Sequence, residues 1–298
     1  MDARRRETNN PFLPDCKKLA QPIFSGCQPG RPEELDRPNI TMPANHWICL
    51  LAAGPVLAAE PRPMSTDRPD TTESAITVPA GMFQVETSLF DYSHDHTSGL
   101  RETQWIYAQV NLKAGLDDQT DLQLIVNSHA VAGVSERGDS TRTTGFGDLT
   151  LRLKRNLFGN DGGGPALALM PYLTVPTHTD VSDEAWAGGL IVPFGLNLSE
   201  RVTLGLMAEV DLVRDAETGG HDLEWLHSAT LGIGLTERFG SYVELVGIAG
   251  NDTNYQGLFN TGLTFALTPT LVFDAGVRLG LNRPAPDFGV FSGVSFRF

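Results

Sequence analysis

The residues best suited to chemistry lie together in the stretch His94-Asp95-His96-Thr97-Ser98. If this stretch is a β-strand, His94, His96 and Ser98 share one face, because successive side chains of a strand alternate. Two imidazoles could bind a metal ion, and an imidazole beside a hydroxyl could activate it as a nucleophile. A third ligand is not evident in the neighbouring sequence, and a polar loop explains the same residues. We therefore favour a loop and predict no catalytic, cofactor-binding or metal site.

An enzymatic interpretation of the same stretch is the less favoured alternative. His96-Thr97-Ser98-Gly99 resembles the His-x-Ser-Asn-Gly element of outer-membrane phospholipase barrels, but it lacks the asparagine. The resemblance would imply a lipid hydrolase. A short motif on a shared fold is weak evidence for an activity. We expect that the protein is not an enzyme.

The chain from residue 83 onward repeats one unit, a strand of alternating polarity followed by a turn. In residues 202–213, Leu204 and Leu206 share one face with other apolar residues, whereas Glu209 and Asp211 lie on the opposite face. Short connections alternate with longer ones, such as 134–145 and 176–185, as in transmembrane barrels. We predict an all-β fold, a single transmembrane antiparallel up-and-down β-barrel of about 12 strands. The predicted strands are 83–94, 101–114, 121–133, 146–158, 165–175, 186–198, 202–213, 223–235, 239–249, 256–267, 271–281 and 288–298.

The last strand, Phe288 to Phe298, supports the closed barrel. Phe288, Val290, Val294, Phe296 and Phe298 share a face, and Phe291 is the one aromatic residue on the other face. A soluble sheet rarely ends in an exposed apolar edge, whereas a barrel pairs its last strand with its first. The ending also resembles the terminal strand of bacterial outer-membrane barrels. That resemblance implies recognition of the Phe298 strand by the barrel-assembly machinery.

Composition excludes several classes of protein. Charged residues are 19% of the chain, and no apolar run approaches the roughly 20 residues of a membrane-spanning helix. The net charge of -14 leaves no large basic face, so we expect no nucleic-acid partner. The three cysteines, Cys16, Cys27 and Cys49, all precede the predicted barrel. A disulfide framework within the barrel is therefore excluded.

Charged residues recur on the predicted inner face of the barrel. One interpretation is a selectivity surface for a permeating solute. The alternative is mutual neutralisation across a narrow lumen, because buried charges are generally paired. The candidates are Glu86, Lys113, Asp121, Asp148, Arg152, Lys154, Glu209, Asp211, Glu224, Glu244, Asp274, Arg278 and Arg297.

A charged motif, Asp67-Arg68-Pro69-Asp70, precedes the first strand in a proline-rich segment. Prolines exclude a helix here, so residues 60–82 are predicted to form an extended periplasmic segment. The motif could belong to a flexible tether. It could instead fold into the periplasmic mouth, with Arg68 paired to a lumen carboxylate such as Glu86 or Glu244. We add Asp67, Arg68 and Asp70 to the pore candidates.

The amino-terminal region is predicted to be removed. Residues 42–59 contain a short apolar run that ends in small residues, which is typical of a signal peptide. Residues 1–41 are polar and aperiodic, and they are either an unstructured leader or the result of a start codon assigned upstream of Met42.

Three motifs resemble those of the meta-pathway phenol-degradation family of outer-membrane transporters. They are Thr66-Asp-Arg-Pro-Asp70, Thr77-Val-Pro-Ala-Gly-Met-Phe-Gln-Val-Glu86, and Gly145-Phe-Gly-Asp148 with the downstream Lys154. The resemblance implies passive transport of small, aromatic or hydrophobic solutes across the outer membrane of a Gram-negative cell. The even number of strands places both barrel termini on the periplasmic side. The partners would be membrane lipid and a small solute, and a structural or surface-interaction barrel with a closed lumen remains the alternative.

Overall fold

The computed structural model describes residues 62–183, 185–215, 219–251 and 254–298. The predicted leader and signal peptide lie outside these residues, so residues 1–41 and 42–59 keep their assignments as predictions. Across the described residues, no helix has the length and apolar character needed to cross a membrane.

The fold is a closed antiparallel β-barrel. Each strand pairs with the next along the chain, except that β5 pairs with β3 and not with β4. β1 pairs with both β2 and the last strand, β13, so the sheet closes on itself. The main chains of Phe83 and Phe298 exchange two hydrogen bonds of 2.9 Å at this seam. The strands are β1 (Phe83–Thr97), β2 (Leu100–Asp117), β3 (Thr120–Glu136), β4 (Asp139–Gly145), β5 (Leu149–Phe158), β6 (Ala166–Val175), β7 (Ala187–Asn197), β8 (Val202–Arg214), β9 (His221–Gly234), β10 (Phe239–Gly250), β11 (Gln256–Thr268), β12 (Leu271–Gly280) and β13 (Phe288–Arg297).

The ring has 12 positions, as predicted, because β4 and β5 share one of them. β4 pairs with residues 130–136 of β3, and β5 pairs with residues 120–126 of the same strand. The sequence predicted a loop over 134–145, and this was wrong. Arg137 and Gly138 have positive φ values of 53° and 98°, which form a tight hairpin and extend β3 and β4. β4 was missed because its sequence, Asp-Ser-Thr-Arg-Thr-Thr-Gly, has no apolar face.

The outer face of the barrel is apolar. Leu206, Leu245 and Leu263 are 40%, 57% and 54% exposed, and each alternates with a residue turned toward the barrel interior. Aromatic pairs lie toward both ends of the barrel, including Phe239 with Phe265 and Tyr92 with Trp105. An apolar band between two aromatic belts is the surface that a membrane-spanning barrel presents to lipid.

The two ends of the barrel differ in their connections. At one end the turns are short, such as 118–119 and 269–270, and the longest of them covers 159–165. We call this the short-turn end. At the opposite end the connections 176–186, 215–220, 251–255 and 281–287 are longer, whereas 98–99 and 137–138 are two-residue hairpins.

Candidate functional site

Residues 62–82, here called the inner segment, lie inside the barrel. Their hydrogen-bond partners come from side chains on β1, β2, β3, β5, β8, β9, β10, β11, β12 and β13. A segment that contacts strands all the way around a closed ring must occupy its lumen. The segment also bonds the short-turn end, where Arg62 donates to the carbonyl of Asp118. It therefore extends from this mouth into the lumen.

Four buried charges, Asp67, Glu86, Lys113 and Lys154, fix the inner segment to the wall. The Lys113 ammonium donates to both Asp67 and Glu86, and the Lys154 ammonium donates to Asp67 over 2.7 Å. All four residues are less than one-tenth exposed. We call them the four-charge cluster. Its two carboxylates and two ammonium groups balance, which a buried group of charges requires.

The local fold positions each member of this cluster. Glu86, Lys113 and Lys154 point inward from β1, β2 and β5. Glu86 lies near Lys113 across the β1–β2 pair, and Lys154 lies on β5, which is separated from β2 by β3 alone. The Glu86 carboxylate also accepts the main-chain N–H groups of Asp67 and Arg68, at 3.1–3.2 Å. Burial opposes the ionisation of Asp67, but the charges of Lys113 and Lys154 outweigh it and hold the pKa of Asp67 well below its usual range.

Arg68 is anchored on the other side of the seam. Its guanidinium binds the Asp274 carboxylate of β12 through two hydrogen bonds, of 2.7 and 3.1 Å, and lies 5.9 Å from the centre of the Phe291 ring. Gly293 makes room for it, since a Cβ atom there would lie 2.3 Å from Nη2 of Arg68. Arg68 was predicted to pair with Glu86 or Glu244, and the partner is Asp274 instead. Alternation predicts which residues face inward but not which of them meet across the lumen.

Glu244 binds the main chain of the inner segment directly. Its carboxylate accepts the N–H groups of Thr71 and Thr72, at 2.9 and 2.7 Å, and the side-chain amide of Asn260 at 2.7 Å. Asp70 lies close by. Burial and the charge of Glu244 raise the pKa of Asp70 to about 8. The segment is thus held by the carboxylate of Glu244, and the neighbouring carboxyl group of Asp70 keeps its proton at neutral pH.

This geometry predicts that the inner segment loosens as the pH rises. The pKa of Asp70 is about 8 when folded and about 3.9 when unfolded, so the folded chain holds an extra proton between these values. Stability from this group is complete below about pH 4 and is lost as the pH rises through the folded pKa. We expect faster proteolysis of residues 62–82 at about pH 9 than at about pH 6 in reconstituted barrels. Asp70→Asn should remove most of this difference, and a pH response unchanged in that variant would contradict the assignment.

A third contact joins the segment to β5. Arg152 of β5 binds the carboxylate of Glu73 and lies 5.8 Å from the Tyr172 ring centre. Tyr172 in turn donates a hydrogen bond to Asp211 of β8. Arg152, Asp211 and Glu209 are therefore neighbours, as members of one lumen wall.

Two predicted lumen residues serve other contacts. Asp148 accepts hydrogen bonds from the main chains of Thr177 and Asp183 and from Ser182, so it holds the 176–186 connection. Arg278 pairs with Asp91.

His94 and His96 lie beside Asp287, which accepts the main-chain N–H of His96 at 3.1 Å. Within the described residues, no group of three or more His, Cys, Asp or Glu side chains could hold a metal ion.

The comparison with family models agrees with this geometry. The model for the MetA-pathway of phenol degradation matches residues 66–298, which is more than half of the chain. The chain belongs to the MetA-pathway of phenol degradation family. The motifs that resembled this family converge in space, because Asp67, Glu86 and Lys154 each belong to a different one of them and meet in the four-charge cluster.

The comparison with solved structures finds one channel with the same fold and two porins with lower scores. An outer-membrane channel from Pseudomonas putida F1 superposes with a TM-score of 0.58 at 15% identity, covering 78% of this chain and 100% of that chain. The KdgM porin gives a TM-score of 0.47 at 8% identity, covering 72% of this chain and 99% of that chain. The NanC porin gives 0.46 at 10% identity, covering 72% and 98%. A comparison with curated protein sequences finds no match.

An apolar band inside the lumen was not predicted from the sequence. Seven inward side chains from β6 to β11 pack together with Ala285 from the 281–287 connection, and all eight residues are buried. The sequence contains a signal for this band, because some strands are apolar on both faces, as at Leu245 and Val246 of β10. The band consists of Met170, Ile191, Met207, Leu226, Val246, Ile248 and Leu258.

Proposed function

We propose that this family member is an outer-membrane channel through which small molecules move passively, with the inner segment as its constriction. The observation that carries the proposal is a membrane-type barrel whose lumen holds the inner segment on a balanced set of charges. Charged side chains that line a pore act on a permeating solute. The inner segment therefore sets both the width and the charge of the path.

Placement in the outer membrane follows from the apolar outer face and its aromatic belts. We propose that the short-turn end faces the periplasm, because short periplasmic turns and longer external connections are typical of such barrels. The first and last residues of the barrel, Phe83 and Phe298, then lie on the periplasmic side. The Phe298 strand, which closes the ring against β1, would be presented to the assembly machinery before closure.

Small aromatic or hydrophobic molecules are the proposed solutes. The description of the family supports this, since it refers to phenol degradation. The apolar band on one wall of the lumen is compatible with such solutes, because apolar side chains favour contact with apolar molecules over water. The predicted pore residues Asp67, Arg68, Asp70, Glu86, Lys113, Lys154, Glu244 and Asp274 would act mainly by holding the constriction.

Single-channel recording of the purified barrel in lipid bilayers tests this function. Deleting residues 62–75 should raise the conductance severalfold, because it removes the chain that occupies the short-turn half of the lumen. Arg68→Ala should do so partially, since Glu86 and Glu244 still bind the main chain of the segment. Folding of each variant is checked by heat-modifiable mobility on gels.

A structural barrel with a closed lumen is the second candidate, and the filled lumen favours it. The inner segment fills one end, and Ala285 packs on the apolar band nearer the other. In that case the intact barrel and Arg68→Ala would both show no conductance above the bilayer background. That result would reject the channel.

A further inference from the structure

A row of aromatic rings lies on the outer face of the barrel, toward the end with the longer connections. The ring centres of Tyr92 of β1 and Trp105 of β2 are 4.5 Å apart, and Trp105 stacks nearly parallel to Tyr107 at 5.8 Å. His129 of β3 continues the row, 6.1 Å from Tyr107. We call these four residues the aromatic row. Aromatic rings at such a position mark the level at which lipid headgroups begin.

An irregularity in β2 turns this part of the sheet outward. Ala108 has a positive φ of 51°, which is uncommon for a residue with a Cβ atom. Strict alternation would place Trp105 on the same face as Lys113, which binds Asp67 inside the lumen. Trp105 is instead 37% exposed on the outer face. The change of face at Ala108 therefore turns Arg101 outward as well.

Two arginines, Arg101 of β2 and Arg142 of β4, extend the outer face beyond the aromatic row. Arg142 shares this face by register, because it is opposite Gly133, which is opposite Thr103 of β2. Ser135, which is opposite Arg101, adds a hydroxyl group to the same face. The two arginines are two strands and two residues apart, about 12 Å at Cα.

The acidic residues of these strands lie on the other face. Alternation from Arg101 and Arg142 assigns every acid in residues 100–108, 129–136 and 139–145 to the inner face. These acids are Glu102, Glu136 and Asp139. The outer face of the three strands above Ala108 is therefore basic.

Both arginines are exposed and unpaired within the described part of the chain. On neighbouring β1, Asp287 accepts the main-chain N–H of His96, which is opposite Arg101, without binding the guanidinium. An exposed arginine at the short-turn end is satisfied differently, since Arg155 pairs with Asp117 at 3.3 Å. A guanidinium group binds phosphate strongly, through two parallel hydrogen bonds. Two such groups without a carboxylate partner are suited to an anionic headgroup.

We propose that Arg101 and Arg142 bind the phosphate groups of a phosphorylated glycolipid in the outer leaflet of the membrane. Its acyl chains lie against the aromatic row and the apolar outer face below it. A soluble phosphate would make no use of this apolar surface, whereas a lipid matches both the charge and the position of the site. Two separated guanidinium groups suit a headgroup with two phosphates.

This lipid site rests on the proposed function, because it requires the end with the longer connections to face the outside of the cell. It goes beyond that function, since its ligand lies on the outer face of the barrel and not in the lumen.

Lipid binding to the full barrel in non-ionic detergent tests the site without any membrane current. The probe is diphosphoryl lipid A, and native mass spectrometry counts the lipids that remain bound. A phosphate-free analogue with the same acyl chains and soluble glucosamine 1-phosphate are the controls, and neither should be retained. Arg101→Gln and Arg142→Gln should each weaken lipid A binding about tenfold, through loss of a charged hydrogen-bond donor. Arg201→Gln, at an exposed turn of the short-turn end, should leave binding unchanged.

Two further variants keep the test decisive. Arg101→Gln with Arg142→Gln should abolish lipid A binding, while heat-modifiable gel mobility stays that of the folded barrel, because both side chains are exposed. Trp105→Ala should weaken binding of lipid A, since only a ligand with acyl chains depends on the ring.

Equal binding of lipid A to the intact barrel and to the double variant would overturn the proposal. Retention of the phosphate-free analogue as strong as that of lipid A would also overturn it. Binding of glucosamine 1-phosphate as tight as that of lipid A would show a site for soluble phosphates and reject the lipid. Absence of conductance with intact lipid A binding would instead reject the channel and leave the lipid site in place.

Discussion

Asp67→Asn should destabilise the folded barrel by about 3–5 kcal/mol, the usual cost of removing one member of a buried ion pair. The substitution leaves Lys154, which is 1% exposed, without its carboxylate partner. Lys113 would retain Glu86 alone. We expect a lower midpoint of urea unfolding in lipid vesicles and faster proteolysis of the inner segment.

A charge-balanced variant is the control for this prediction. Adding Lys154→Met to Asp67→Asn restores neutrality, because the cluster then has one carboxylate and one ammonium group. Most of the lost stability should return, since an apolar replacement of a buried pair is often tolerated. No recovery in the double variant would show that the cluster acts through shape and not through charge.

The effect of Asp67 should also have a definite pH dependence. The pKa of Asp67 is lowered in the folded protein. Its contribution is therefore complete above its unfolded pKa, about 3.9, and is lost only as the pH falls through the lower folded value. The difference between the intact barrel and Asp67→Asn should be constant from about pH 5 to about pH 8 and should shrink in strong acid.

Leu206→Arg should cost about 2–4 kcal/mol if the residue lies near the middle of the membrane, because a guanidinium on the outer face would enter hydrocarbon. Leu206 is 40% exposed on that face. The midpoint of urea unfolding in vesicles and heat-modifiable gel mobility both measure the effect.

The matched control must lie on a wet part of the lumen. Met207, the neighbour of Leu206, faces inward, but it packs in the apolar band and is therefore unsuitable as this control. Gln104 is a better control, because it is half-buried on β2, on the inner face shared with Glu102. Gln104→Arg should cost less than about 1 kcal/mol. Equal losses at Leu206 and Gln104 would mean that the assignment of faces is wrong.

Alternation of polarity was sufficient to predict the barrel, because a strand between lipid and a lumen must have two different faces. Phe291 obeys the same alternation. It is aromatic at a position that the pattern assigns to the lumen, and its ring does lie inside the barrel, near the guanidinium groups of Arg68 and Arg278. The rule failed for β4, which is polar on both faces. Composition also could not show that Glu73 pairs with Arg152, since a residue before the first strand has no register.

The partners of the site residues could be identified only from the three-dimensional structure. Arg68 and Asp274 are separated by 206 positions in sequence, and they meet because β12 lies one strand from the seam. The apolar band was missed for a related reason. In the sequence, an apolar residue on an inner face looks the same as a break in the alternating pattern of a strand. It can be assigned to a band only when its neighbours on the five other strands are known.

The position of the inner segment has a consequence for the order of assembly. The segment precedes β1, yet its partners include Asp274 of β12 and Arg297 of β13, the last strands to be synthesised. Its contacts therefore cannot be completed until the final hairpin arrives, and they tie the first strand to the last across the seam. The ion pair between Arg68 and Asp274 joins the inner segment to β12, so closure of the ring and docking of the segment form one cooperative event.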